Sequence, residues 1–219
     1  KTGRLEDDLP SPIAMEVGIT GKRPDIGLKV SLNGAARMNL ARQSFALAKL
    51  DLRVIGNAAN LKGLDLKLTG DAAVDGTRHV VDINGIRLQM AGQLDRDALT
   101  VALAAPRVEI TSAKASGAAV NAELKLAGPG RTVSAKLEVA AVNGTASALN
   151  ISKFGLDVDA LVEGTAVKAT LSTPINANLA ARTWDLPKIA ANITVSGPKI
   201  PQKSFALPIN AAFKADLNK

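Results

Sequence analysis

The chain has 219 residues, 27 Lys and Arg against 20 Asp and Glu, a formal net charge of +7 and a sequence pI near 9.8. Hydrophobic residues make up 47%, too many for a disordered tail, but aromatics only 2%: one Trp, four Phe and no Tyr. With no Cys and a single His, thiol nucleophiles, disulfides and zinc sites built on Cys or paired His are excluded, and any Ser/His/Asp relay would have to use His79.

Residues 1–12 carry Glu6, Asp7, Asp8, Pro10 and Pro12 and read as a polar arm. From 13 to 219 one pattern holds without a linker: apolar and polar residues alternate at period two, the mark of a half-buried strand. In chain order the apolar members include Ile26, Leu28, Val30 and Leu32, then Leu50, Leu52 and Val54, then Leu64, Leu66 and Leu68. Ile86, Leu88 and Met90 follow, then Val120, Ala122, Leu124 and Leu126, then Val133, Ala135, Leu137 and Val139. Leu156, Val158, Ala160 and Val162 come next, and Ile189, Ala191, Ile193 and Val195 last. Residues 35–43 admit a short helix, but Ala36, Met38 and Leu40 alternate equally well. Asn33-Gly34, Asp75-Gly76, Asn84-Gly85, Gly128-Pro129-Gly130 and Asn143-Gly144 read as hairpin turns.

One-sided alternation predicts antiparallel sheet, since parallel strands are usually buried on both faces. Strand ends of the form apolar-x-apolar-x-Gly recur at Gly21, Gly56, Gly92, Gly128, Gly164 and Gly197, at spacings of 35, 36, 36, 36 and 33 residues. Such a period predicts a repetitive, elongated all-β architecture that adds a few strands per unit. No apolar run reaches the roughly 18 residues of a membrane-spanning helix; the longest is 98–106. A membrane barrel needs aromatic girdles that one Trp and four Phe cannot supply. The aliphatic faces either pack shut as a sandwich or line an open, curved trough. Composition allows both.

The run Val30 to Gly56, VSLNGAARMNLARQSFALAKLDLRVIG, and the run Gly63 to Asp75, GLDLKLTGDAAVD, resemble the AsmA family of bacterial envelope proteins. The likeness extends over most of 13–219 as a style of alternation and glycine placement, without a catalytic motif. It implies a long curved sheet with an apolar groove, related to bridge-like lipid carriers, and a role in outer-membrane assembly and phospholipid balance. It also implies a periplasmic location in a Gram-negative bacterium. The chain would then be an inner section of a larger protein, flanked by neighbouring segments, with an inner-membrane anchor expected at the family's N-terminus and missing here. The first residue, Lys1 rather than Met, agrees with that expectation. The ligand so implied is a phospholipid or another acyl chain. The candidate lining residues are Leu52, Val54, Leu66, Leu68, Leu88, Met90, Leu124, Leu126, Val158, Val162, Ile193 and Val195.

Other constellations read as structural. The pairs Asp95/Asp97 and Asp157/Asp159 each share a strand face, but a hard cation wants six or more oxygens and usually a Gly-containing loop. Gly128 to Thr132 lacks the Gly-Lys-[Ser/Thr] of a phosphate loop and a following helix. The Lys and Arg are interleaved with Asp and Glu and have no aromatics to stack bases, which argues against nucleic acid. Neither cofactor, metal nor enzymatic chemistry is expected. Two rivals remain: a structural or adhesive β-repeat with a closed core, and an enzyme whose cleft gathers Asp95, Asp97 and His79.

Overall fold

The computed structural model describes residues 9–78, 80–111, 113–145 and 147–218. They form one antiparallel sheet: β1 (Ser11–Lys22), β2 (Asp25–Asn39), β3 (Ser44–Ala58), β4 (Leu61–Asp75), β5 (Val80–Leu94), β6 (Asp97–Ile110), β7 (Ala115–Gly117), β8 (Val120–Gly128), β9 (Arg131–Val139), β10 (Val142–Thr145), β11 (Ala148–Val162), β12 (Thr165–Asn178), β13 (Thr183–Ser196) and β14 (Ser204–Asp216). Strands follow chain order across the sheet, and β1 and β14 are its two free edges. β7 and β8 lie end to end beside β6, and β10 and β9 end to end beside β11. The fourteen strands therefore fill twelve lanes. β1 begins at Ser11, two residues before the expected onset, and the segment that admitted a helix, 35–43, ends β2 at Asn39 and then turns into β3.

The layer is open and single. The accessible surface is 13908 Å², against about 9,500 Å² for a compact protein of this mass. No large side chain is fully buried among the described residues. A closed sandwich would bury many, so that alternative does not describe this chain. The most enclosed patch is Ala115, Val142, Leu149 and Ala177, with Ile110, Ile151 and Trp184 against it. Every substantial strand-to-strand contact joins hydrogen-bonded neighbours.

Hairpin ends line two rims. On the first, two-residue turns such as Ala59-Asn60 and Asp95-Arg96 are stitched to the turn before: Ala59 N donates to the Asp25 carbonyl (2.8 Å), Asp95 N to that of Asn60 (2.9 Å) and Glu163 N to that of Gly130 (2.9 Å). The repeating glycines sit along this rim, one for each hairpin of two lanes, which explains their period. On the second rim a side-chain oxygen at each turn's start accepts a backbone N–H: Asn39 from Arg42 (2.9 Å), Asp75 from Arg78 (2.8 Å), Thr111 from Lys114 (2.9 Å), Thr145 from Ala148 (3.1 Å) and Asn178 from Ala181 (2.8 Å). Asx and Ser/Thr residues favour such turns because their short side chains mimic the next backbone carbonyl.

Three of the expected turns are not turns. Asn33-Gly34, Asn84-Gly85 and Asn143-Gly144 lie within β2, β5 and β10. Gly85 (φ 63°) and Gly144 (φ 114°) use positive φ inside strands, and Asn33-Gly34 faces a register shift on β3, where Lys49 has φ 54°. The same dihedrals serve a bulge as serve a hairpin. Gly144 stands nearer the second rim, in register with Ala115 and Leu149, and the irregularities at Gly34 and Gly85 share one level of the sheet. They continue through Pro106 on β6, the breaks between β7 and β8 and between β9 and β10, the shift between Ile151 and Phe154, and the shift between Leu186 and Ile189. The result is a crease crossing most of the lanes.

Face assignment and backbone approach each yield an expected outcome. Leu66 is half-buried on the apolar face and Lys67 is exposed on the other. Leu66→Asp should lower stability by about 1–3 kcal/mol, because it places a carboxylate among aliphatic neighbours, and Lys67→Asp should be near neutral in the same thermal melts. A Cβ on Gly56 (φ 134°) would strike the Gly27 carbonyl oxygen, whereas one on Gly27 meets nothing within 4 Å. Gly56→Ala should cost about 1–3 kcal/mol by denaturant titration and Gly27→Ala little.

Candidate functional site

Cross-strand register assembles the alternating residues into rows. One row crosses all twelve lanes without a polar interruption: Val17, Val30, Val54, Leu66, Met90, Val101, Leu124, Ala135, Val158, Ala169, Ile193 and Leu207. The next row runs Met15, Leu32, Leu52, Leu68, Leu88, Leu103, Ala122, Leu137, Leu156, Leu171, Ala191 and Ile209. A third, on the first-rim side, includes Leu99, Leu126, Val133, Ala160, Val167, Val195 and Phe205. Val162 stands one step further out on the same face, level with Arg131 and Thr165.

All twelve candidate lining residues thus share one face. Ten are half-buried; Leu124 and Val162 are exposed. The sequence reading missed the members contributed by the edge lanes, Val17, Met15, Leu207 and Ile209, which are among the barest of the band at 39–44% exposure. It also missed the second apolar field beyond the crease. There Met38, Phe45, Val74, Val81, Ile110 and Ala115 form a row of their own. The bulges explain the omission. β3 turns Phe45 and Leu47 to the same face as Leu50, Leu52 and Val54 only because an extra residue separates the two sets. β5 does likewise with Val81 and Ile83 against Ile86, Leu88 and Met90.

The opposite face is a charge-laced exterior. Arg53 donates from Nε and Nη2 to both oxygens of Asp65 (3.0 and 2.9 Å). Lys153 reaches Glu138 (2.6 Å), Lys125 Glu123 (3.1 Å) and Lys168 Asp159 (3.5 Å). The Arg53 hydrogen bond holds the Asp65 carboxyl below the usual carboxylate range, and the Glu138 hydrogen bond raises Lys153. These exposed pairs contribute little to stability. Shallow depressions lie between polar rows: one of about 720 Å³ includes Asn150, Asn176, Asp185 and Lys214, and another of about 430 Å³ includes Arg87, Glu123, Lys136 and Asp157.

The carboxylate pairs serve the fold. Asp97 is buried and ion-paired with Arg131 across the β6, β8 and β9 hairpins, while Asp95 occupies the turn before it with φ 55°. Asp157 and Asp159 share the polar face, beside Lys136 and Lys168 in register. Asp71 accepts Lys49 N (2.6 Å) and Asp75 accepts Arg78 N. Gly128 to Arg131 is the hairpin turn from β8 to β9. His79 lies outside the described residues. Among the described residues no group of three His, Asp or Glu is placed to hold a metal ion, and no helix is long and apolar enough to cross a membrane.

The Asp65 pair gives a pH prediction. A carboxyl with a lowered folded pKa stabilises above its unfolded value, near 3.9, and that contribution is lost as pH falls through the folded value. In an NMR titration, Arg53→Met should move the Asp65 midpoint up toward about 3.9.

Comparison of the chain with protein-family models, with characterised proteins and with solved structures returned no match.

Proposed function

We propose that the chain is a non-enzymatic lipid-holding sheet: its apolar face seats acyl chains of phospholipid-like molecules and lets them pass from lane to lane. The observation that carries this reading is the unbroken aliphatic band. Twelve lanes span about 50 Å, and the three rows on one side of the crease add about 14 Å of height. So broad an apolar surface, with no second layer over it, exceeds what soluble monomers leave bare and calls for a cover. Each acyl CH₂ withdrawn from water there gains about 0.8 kcal/mol.

The chemistry of the wall suits movement better than selection. Its rows are Leu, Val, Ile, Ala and Met, with Phe205 at one edge, and the members named offer no hydroxyl, amide or charge to fix a chain in one place. A chain lying across the lanes meets a near-equivalent environment at each step, so barriers to sliding stay low. The resemblance to AsmA proteins supports the same reading and adds its setting: a Gram-negative periplasm, an inner-membrane anchor on a larger protein, and a part in outer-membrane assembly and lipid homeostasis. No nucleic acid, metal or cofactor enters the proposal.

Lipid occupancy is the test. Gently purified protein should carry phospholipid detectable by mass spectrometry. A photo-crosslinking residue at Leu88 or Leu126 should capture it, and one at Lys125, on the other face, should not. Lipid-free, monomeric protein with silent probes at both inward positions would sink the proposal.

A further inference from the structure

The second rim carries a feature that lipid holding does not require. Its turns repeat a capping residue followed three or four positions later by a cation: Asn39 with Arg42, Asp75 with Arg78, Thr111 with Lys114, and Asn178 with Arg182. The cations Arg42, Arg78 and Lys114 are spaced by 36 residues, one hairpin each, so they recur at about 9.5 Å along the rim. All four are exposed. The segments between strands on this rim contain no acidic residue; Asp75, at the end of β4, lies 3.9 Å from Arg78 Nε. The opposite rim mixes Arg23, Arg96, Lys199 and Lys203 with Asp95 and Glu163.

Large apolar side chains accompany the cations. Leu40 is 73% exposed, Leu217 63% and Leu179 37%, each one residue after a turn-capping Asn39, Asp216 or Asn178. Leucine tips beside basic residues, on backbone pinned by caps, match the chemistry of an interface between water and anionic lipid. There the leucines enter the acyl boundary and the cations meet phosphates. We propose that this rim docks the sheet edge-on against an anionic phospholipid surface, with the basic turns on the headgroups. Charge complementarity together with bare leucines selects a membrane over an acidic peptide: leucines stand beside the cations at both ends of the edge, Leu40 with Arg42 and Leu179 and Leu217 with Arg182. Docked this way, the apolar field beyond the crease adjoins the bilayer. The proposal stands apart from lipid holding, since a sheet with an empty face would still dock.

The test is flotation with vesicles of phosphatidylcholine alone or mixed with phosphatidylglycerol, at low and high salt. The full chain should partition to the mixed vesicles, and salt should weaken it. Replacing three cations together, Arg78→Gln, Lys114→Gln and Arg182→Gln, should reduce partition about a hundredfold. The matched polar-face set, Lys125→Gln, Lys136→Gln and Lys168→Gln, should change it less than about threefold. The charge-keeping set Arg78→Lys, Lys114→Arg and Arg182→Lys should bind as the parent does. Leu40→Ser with Leu217→Ser should weaken binding even at high salt. Equal loss in both Gln sets, equal binding to neutral vesicles, or release by inorganic phosphate at constant ionic strength would each overturn the proposal. Thermal melts of every variant separate loss of docking from loss of fold, and the probes at Leu88 and Leu126 report lipid holding independently.

Discussion

A single sheet has no second interior into which a misplaced leucine can turn. Every lane must therefore present its aliphatic side chains to one side, and parity must survive each bend and break. A slip of one residue in any strand would move its whole apolar set into water. Along β2 parity holds from end to end, but β4 inserts an extra residue at Gly63 near the first rim, and β3, β5, β11 and β13 each insert one at the crease. In each, the sequence switches from odd to even apolar positions, or back, at the inserted residue. The insertions bend the strands and increase local twist, so the crease introduces curvature while the rows stay aligned.

With little full burial, order rests on devices repeated at each hairpin. Small residues hold the close approaches; Gly70 at φ 138° has Ile86 Cα 2.7 Å from where its Cβ would stand. Turn-to-turn hydrogen bonds stitch one rim and side-chain caps close the other. Ion pairs lace the polar face, some between register partners, as Lys168 with Asp159 and Lys214 with Asp185, and others on a diagonal, as Arg53 with Asp65. The ion pair of Asp97 with Arg131 is the exception to this exposed style, since one partner is fully enclosed at the point where β6 hands over to β8 and β9. An enclosed carboxylate needs a partner there.

Much of the architecture was legible in the sequence because period-two alternation speaks directly to strand facing. Leu66 and Lys67 can be assigned to opposite faces without coordinates, and the glycine period marks one hairpin per repeat. The crease was not legible. Asn84-Gly85 has the composition of a hairpin turn, and only pairing partners reveal that β5 runs through it. The band was visible strand by strand, but the alignment of Val54, Leu66, Met90 and Leu124 is a property of register, which adjacent strands settle between them. The caps on the second rim escaped notice because Asn39, Thr111 and Asn178 are ordinary polar residues until the turns place them at one edge.

Because substantial contacts join only neighbouring lanes, the sheet is a ribbon in the mechanical sense. Stress and disorder travel along it one hairpin at a time, without a shared interior to make the whole yield together. Its edge lanes, held on one side only, open most easily, and the interior hairpins are protected by position alone. A lineage can lengthen or shorten such a ribbon by whole hairpins of about 36 residues and keep every row intact, so reach becomes a quantity that evolution tunes in discrete steps.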